Sequence, residues 1–261
     1  MERTLKLMLS YRGTRYHGFQ RQENAVTVQS VTEAALSKVL NQPITITGCS
    51  RTDTGVHARQ FCCSLKTDRM IPHLNLMRGV NGELPADISI LSCEDAAPDF
   101  HARFDCKGKE YIYRIHNSES KNPFLTDLAL HYRRPMDIPR MQACAQVFVG
   151  THDFRTFCAS GGIKENTVRT IYEMSVKKQG DCVAVLVKGD GFLYNMIRIL
   201  VGTLLMANEQ HLTPSDMREI LAAKDRLRAG NTARAHGLYL NRVFYDTAYQ
   251  TASTEEFPYF Y

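Results

Sequence analysis

The sequence has no apolar stretch that could span a bilayer. Its longest apolar run, MIRILVGTLLMA, is shorter than a transmembrane helix and contains Arg198. The first residues, MERTLKLMLSYRG, lack the extended apolar region of a secretory signal peptide. We therefore expect a soluble, cytoplasmic protein that does not contact membranes.

Metal-binding patterns are absent as well. No two cysteines form a CxxC pair, and the nine histidines show no HExxH or comparable spacing. Several cysteines lie in apolar runs, where a reduced thiol packs as a small hydrophobic side chain. The sequence predicts no metal site and eight reduced cysteines: Cys49, Cys62, Cys63, Cys93, Cys106, Cys144, Cys158 and Cys182.

The chain also has little imbalance of charge. Its 261 residues include 32 Lys and Arg against 27 acidic residues, so the formal charge is +5. A hydrophobic content of 44% is typical of a globular protein and argues against disorder.

Arg12, Arg15 and Arg21 share one short segment with several ring-bearing side chains: Tyr11, Tyr16, His17 and Phe19. This interleaving suits an RNA backbone with exposed bases, although a solvated surface explains it equally well.

The apolar pattern predicts strands in hairpins with helices between them. LKLMLSYRG, ARQFCCSLKT, GKEYIYRIHN and GLYLNRVFY alternate as strands, and PITITG is predicted as a further short strand. Helices are predicted in TVQSVTEAALSKVL, capped by Thr27, in IPRMQACAQVFVG up to Gly150, and in the apolar NMIRILVGTLLMAN. TASTEEFPYFY is predicted as a loose tail. Together these elements predict an α+β fold of two halves, residues 1–104 and 105–261.

The stretch GCSRTDTGVHA, residues 48–58, places Asp53 on a connection between two predicted strands. Asp53-Thr54-Gly55 has the composition of a tight turn, because Asp bonds to nearby backbone and Gly accepts a positive φ. The triplet is also found in aspartic proteases, but Arg51 would keep the carboxylate ionised where a proton-sharing pair needs a neutral carboxyl. A third interpretation takes Arg51 and Asp53 together, as an anion held ready to act as a nucleophile or base.

SRTDTGVHA resembles the signature of the tRNA pseudouridine synthase A family, which is usually written GRTDAGVHA. Four further blocks are similar to family motifs and occur in the same order: YRGTRYHGFQRQ, FHARFDCKGKEYIYRI, GDGFLYNMIRILVG and AHGLYLNRVFY. They extend from residue 11 to residue 245, and together they are far more specific than any one block. Arg12, Ser50 and Thr54 stand where the family usually has Asp, Gly and Ala. None of these departures removes Asp53, but Arg12 could alter an RNA contact.

The resemblance implies a pseudouridine synthase fold, in which the largely antiparallel sheets of the two halves flank a central basic cleft. It implies an isomerase that converts uridine to pseudouridine in the anticodon stem-loop of tRNA, typically at positions 38, 39 and 40, without a cofactor or metal. Family members are homodimers, so tRNA and a second copy of the chain are the expected partners. The alternatives are a catalytically silent tRNA-binding protein and an RNA-modifying enzyme of other specificity on the same scaffold.

The resemblance also implies roles for individual residues. Asp53 is the essential carboxylate, which attacks the sugar C1′ or the uracil ring, or removes a ribose proton. Arg51 is expected to fill the space that the flipped-out base leaves, and Tyr111 to pack against that base. Arg21 and Arg103 are expected to contact phosphate groups.

His57 and His101 lie in matched motifs and are expected to be structural or to contact RNA. Arg198 lies on the apolar predicted helix, where a buried guanidinium needs a partner unless its side chain extends to solvent. The resemblance favours an ion pair between Arg198 and Asp53. We predict that Arg198→Leu impairs activity more than Lys178→Ala does, and equal activities would count against the pair.

Overall fold

The structure is a computed structural model that describes residues 2–161 and 166–251. Contacts group the chain into two compact units: residues 2–107 with Tyr239–Asp246, and residues 108–238 with 247–251. The predicted tail, 251–261, lies outside the described residues apart from Thr251. In the described part of the chain, every helix is too short or too polar for a membrane span.

Strands and helices alternate along the chain, which confirms the α+β class. The described residues contain ten strands: β1 (Arg3–Tyr11), β2 (Thr47–Gly48), β3 (His57–Thr67), β4 (Ile88–Ala96), β5 (Gly108–Asn117), β6 (Leu130–Tyr132), β7 (Gly150–Asp153), β8 (Val168–Gln179), β9 (Cys182–Gly189) and β10 (Leu238–Phe244). They also contain five α-helices: α1 (Val28–Leu40), α2 (His73–Glu83), α3 (Ile138–Gln146), α4 (Met196–Gln210) and α5 (Pro214–Ala222).

The first unit is built on strands in the order β4–β1–β3–β10, with β2 also paired to β3. β1 runs antiparallel to β3 and β4, whereas β10 runs parallel to β3. Leu5, Leu7 and Leu9 of β1 are fully buried, as the period of two predicts. Helix α1 begins after Thr27, whose side chain accepts a hydrogen bond from the Ser30 N–H in a capping box. The predicted cap is therefore confirmed.

Only Thr47–Gly48 of the predicted strand PITITG pairs with the sheet. The amides of Ile44 and Ile46 donate instead to side chains of α1, at 2.9 Å from Ser37 Oγ and 2.9 Å from Glu33 Oε1. Because the helix satisfies these donors, residues 43–46 pack against it and do not extend the strand. The strand prediction was wrong for this part.

The second unit contains strands in the order β5–β9–β8–β7, with β6 paired parallel to β5. Helix α4 is buried along most of its length, as its apolar sequence predicts. Helix α3 starts at the Asp137 cap but ends at Gln146. The predicted end at Gly150 was wrong, because Gly150 has a φ of 112° and begins β7.

The eight cysteines are free thiols, and five of them are buried. Burial raises the pKa of Cys62 to about 11, so its thiol stays protonated at neutral pH. The five buried cysteines act as small packing residues, as predicted, and the other three are partly exposed.

Candidate active site

Asp53 lies in a tight turn between β2 and β3. Its carbonyl accepts a hydrogen bond from the Val56 N–H at 3.1 Å, and Gly55 has a φ of 79°, a value that favours glycine. The Asp53 side chain is half-buried. The turn interpretation and the catalytic interpretation are therefore compatible, because the turn fixes the backbone from which the carboxylate projects.

The segment that follows β1 supports this turn through its own backbone. The Phe19 N–H donates to the Thr52 carbonyl at 3.2 Å, and the Gly55 N–H donates to the Tyr16 carbonyl at 3.3 Å. Gly13 approaches so closely that a Cβ there would lie 1.9 Å from the Val56 carbonyl oxygen. From its basic and aromatic residues, the sequence predicts either an RNA contact or a solvated surface for this segment. Its glycines are the sequence signal for its support of the turn.

Buried side chains fix the two ends of the turn. The Tyr11 hydroxyl and Thr52 Oγ1 are 2.9 Å apart within the core. His57 Nδ1 accepts a hydrogen bond from the Gly13 N–H at 3.0 Å, so the neutral ring carries its proton on Nε2. The His57 ring stacks on Tyr239 with centroids 4.6 Å apart. Of the two roles left open for His57, the structural one fits these contacts.

Asp87 ties the segment after β1 to the start of β4. One carboxylate oxygen accepts from Arg15 Nε at 2.7 Å, and the other accepts from the Tyr16 hydroxyl at 2.6 Å. Partial burial opposes ionisation, but these hydrogen bonds and the Arg15 charge lower the pKa of Asp87 overall. Burial and the bond to Asp87 raise the pKa of Tyr16 to about 12. The motif match did not reveal this cluster, because Asp87 lies outside the matched blocks.

The candidate RNA-contact arginines of the first unit differ in their surroundings. Arg51 and Arg103 are exposed. Arg21 forms an ion pair with Glu33, a buried carboxylate that also accepts from Gln29 Nε2 at 2.9 Å. Arg21 therefore has a structural partner, and a phosphate group would have to share its guanidinium.

Tyr111 lies on β5 in the second unit, where it is paired in register with Val187 of β9. It is only 6% exposed, and its ring meets Phe192 edge-to-face at a centroid distance of 5.4 Å. Two residues further along, the buried Tyr113 donates its hydroxyl to the Arg234 carbonyl at 2.7 Å. Both tyrosines are thus held firmly within the packed sheet of this unit.

Arg198 lies in the first turn of α4 and is half-buried. Its Nε donates to the Ala233 carbonyl at 2.7 Å, and Nη1 donates to Asn195 Oδ1 at 2.7 Å. The Arg198 carbonyl in turn accepts from the Ala233 N–H at 3.0 Å. The side chain is therefore fixed by neighbours and does not simply extend to solvent. The ion pair with Asp53 stays a prediction.

Comparison with known proteins identifies the class of this chain as an RNA-modifying isomerase, a pseudouridine synthase. A family model described as tRNA pseudouridine synthase matches residues 7–105 and 144–246. This match covers more than half of the chain, which therefore belongs to the tRNA pseudouridine synthase family. The resemblance based on the motifs is confirmed.

Curated relatives extend the similarity over nearly the whole chain. "tRNA pseudouridine synthase A" of Ruminiclostridium cellulolyticum is 43% identical over 244 residues, which cover 93% of this chain and 100% of the relative. The protein of the same name from Brevibacillus brevis is 45% identical over 241 residues, 92% of this chain and 99% of that one. A solved Cbf5–Nop10–Gar1 complex matches at a TM-score of 0.36 and 16% identity, over 77% of this chain and 44% of that one.

Proposed function

We propose that this protein converts uridine to pseudouridine in the anticodon stem-loop of tRNA, at positions 38, 39 and 40, with Asp53 as the essential carboxylate. The main support is the turn at Asp53, which carries the family signature and is built from backbone hydrogen bonds and close glycine contacts. A carboxylate that projects from a preformed turn needs little reorganisation during the reaction. Because the substrate is tRNA, we place the activity in the cytoplasm.

The proposed reaction moves one bond and conserves all atoms. The N1–C1′ bond of the uridine breaks, the detached uracil turns, and a C5–C1′ bond forms. The hydrogen on C5 leaves as a proton, and N1 takes up a proton. Asp53 would form a transient bond to C1′ or to ring C6, or would remove the C2′ proton; all three routes require the carboxylate to be ionised.

The other candidate residues complete this proposal. The target base must leave its stack, at a cost of about a few kcal/mol, and Arg51 would occupy the space it leaves. Tyr111 would pack against the extruded uracil, an interaction worth about 1–3 kcal/mol. Arg198 would hold Asp53 in its ionised form. Arg21 and Arg103 would contact phosphate groups.

Release of tritium from the uridine C5 of labelled tRNA tests the chemistry directly, because isomerisation must expel that hydrogen whereas binding or strand cleavage need not. We expect the wild-type protein to release label and Asp53→Asn to release none, with tRNA binding retained. Asp68→Asn is the matched control, since Asp68 is an exposed carboxylate in the same unit. Wild-type-like release by Asp53→Asn would overturn the role of Asp53.

The position of modification can be tested with tRNA transcripts in which the uridines at 38, 39 and 40 are replaced one at a time. We expect each replacement to abolish only the tritium release that comes from that position. Label that persists after all three replacements would place the target elsewhere and contradict the anticodon assignment.

We further propose that the active form is a homodimer. Light scattering of the protein alone should then give twice the chain mass of 29.6 kDa. A monomeric mass for fully active protein would contradict this part of the proposal.

A further inference from the structure

A turn in the first unit presents an exposed aromatic ring that the roles assigned so far do not use. Phe104 follows β4 in the matched block FHARF and is 74% exposed. Burial of a phenylalanine side chain contributes substantially to stability in most folded proteins. Single exposed hydrophobic side chains are common on protein surfaces, so the interest of Phe104 lies in how its turn holds the ring.

The ring is held in one orientation by its neighbours. The rings of Phe104 and His101 stack with centroids 4.1 Å apart at an interplanar angle of 26°. His101 Nδ1 accepts hydrogen bonds from the backbone N–H groups of Arg103 and Phe104, both at 3.2 Å. Asp105 closes the turn, since its carboxylate accepts from the His101 N–H at 2.8 Å.

The same turn is anchored to the body of the first unit. The Ala102 carbonyl accepts from the Tyr245 hydroxyl at 2.7 Å, and the Ala102 N–H donates to Ser64 Oγ at 3.3 Å. Ala102 itself is fully buried. The turn that carries Phe104 is therefore fixed to the first unit. The Phe104 side chain would lose little conformational freedom when a flat ligand covers its outer face.

The surroundings of the ring favour a nucleobase over another protein. Arg103 is exposed beside it, and its guanidinium carbon lies 6.0 Å from the centre of the Phe104 ring. The buried core of a protein interface is apolar and poor in charge, whereas this ring is flanked by a guanidinium and an imidazole. One aromatic face next to cations is the arrangement that binds an unpaired base and its phosphate.

We propose that Phe104, backed by His101, is a stacking site for an unpaired base of the tRNA substrate, distinct from the target uracil. The inference rests on the proposed function in that it takes tRNA as the ligand. It also gives His101 a specific task, as the ring that supports Phe104, and places Arg103 beside the phosphate of the stacked nucleotide.

Affinity for tRNA is the first test. The Phe104→Ala protein should bind tRNA about 5- to 150-fold more weakly than wild type, the range that loss of one base–aromatic stack produces. Phe124→Ala is the matched control, because Phe124 is an 89% exposed phenylalanine in the second unit. Its affinity should stay within twofold of wild type, and both variants should keep the wild-type melting temperature.

Fluorescence gives a second readout that does not depend on catalysis. The chain has no tryptophan, so Phe104→Trp introduces a single indole at the proposed stacking position. Its emission should be quenched by tRNA, with saturation at the concentration at which binding saturates. Phe124→Trp should not respond.

Three results would overturn the inference: wild-type affinity in Phe104→Ala, an unquenched Phe104→Trp at saturating tRNA, or a change of oligomeric mass in Phe104→Ala without loss of tRNA affinity. The last result would mean that a second copy of the chain covers the ring. If wild type binds tRNA and quenching occurs but no tritium is released, the stacking site stands and the proposed reaction fails. If wild type does not bind tRNA, both proposals fail.

Discussion

The Asp53 turn of the first unit and helix α4 of the second unit both depend on a glycine in close backbone contact, but they hold their functional side chains differently. Gly13 lets one segment approach the Val56 carbonyl, and Gly202 lets α4 approach the carbonyl of Asn231, which would lie 1.7 Å from an added Cβ. The turn at Asp53 is supported by backbone hydrogen bonds and by the buried side chains of Tyr11 and His57, whereas Arg198 is held through its own guanidinium. Substitution of the arginine should therefore lower stability, and the turn at Asp53 should be sensitive to changes in its backbone contacts.

Among changes that keep the Asp53 carboxylate, the largest effect is expected when the backbone contact of the first unit is blocked. Gly13→Ala would push Val56 away from the segment, and we expect at least a tenfold loss of tritium release. Overpacking of this kind should also lower the free energy of unfolding by about 1–3 kcal/mol, measured by urea denaturation.

Gly82→Ala is the control for that change, because a Cβ at this position of α2 meets no atom within 4 Å. We expect it to raise the free energy of unfolding by up to about 1 kcal/mol and to leave activity unchanged. Equal stability and activity of the two glycine variants would show that the close approach at Gly13 is unimportant.

A smaller loss of activity is expected at Arg198, together with a loss of stability of similar size. Arg198→Leu leaves the Ala233 carbonyl and Asn195 without this donor, so the free energy of unfolding should fall by about 1–3 kcal/mol. Arg218→Leu on the exposed face of α5 is the matched control and should change it by less than about 0.5 kcal/mol.

Activity separates the packing role of Arg198 from its proposed role beside Asp53. Arg198→Leu should release tritium more slowly than Lys178→Ala, measured at a temperature where both remain folded. If Arg198→Leu is destabilised but fully active, the guanidinium contributes to packing alone, and the proposed role of Arg198 beside Asp53 is wrong.

The smallest effect is expected at Asp87, and it depends on pH. The folded-state pKa of Asp87 lies below the ordinary value of 3.8, so its bonds stabilise the protein fully above about pH 4 and are lost as the pH falls through the folded pKa. Asp87→Asn should lower the free energy of unfolding by about 1 kcal/mol at pH 7. The difference from wild type should shrink below pH 4, and a constant difference would contradict this explanation.

Local sequence patterns predicted most of the elements because each pattern has a direct physical cause. Thr27 begins α1 because its hydroxyl satisfies a free amide, and α4 is buried because its surface is apolar nearly all round. The Asp53 turn followed from the Asp-Thr-Gly composition. Its chemistry could be assigned only through the family resemblance, because the same triplet also forms ordinary turns.

Features that depend on contacts distant in sequence could not be predicted. No local pattern indicates that Glu33 of α1 forms an ion pair with Arg21 and accepts a hydrogen bond from the Ile46 N–H. The second contact keeps residues 43–46 out of the predicted strand. The exposure of the Phe104 side chain could not be predicted either, since phenylalanine is usually buried. Such features depend on which segments the whole fold brings together.

The grouping of Tyr239–Asp246 with residues 2–107 has a consequence during synthesis of the protein. A linear cut into 1–104 and 105–261 leaves β10 with the second part, yet Tyr239 and Leu240 pair with His57 and Ala58 of β3. A ribosome adding 5–20 residues per second needs roughly 7–25 s to translate the intervening segment. Until then the edge of β3 next to Asp53 has no neighbour from β10 and can pair with a strand of another nascent chain.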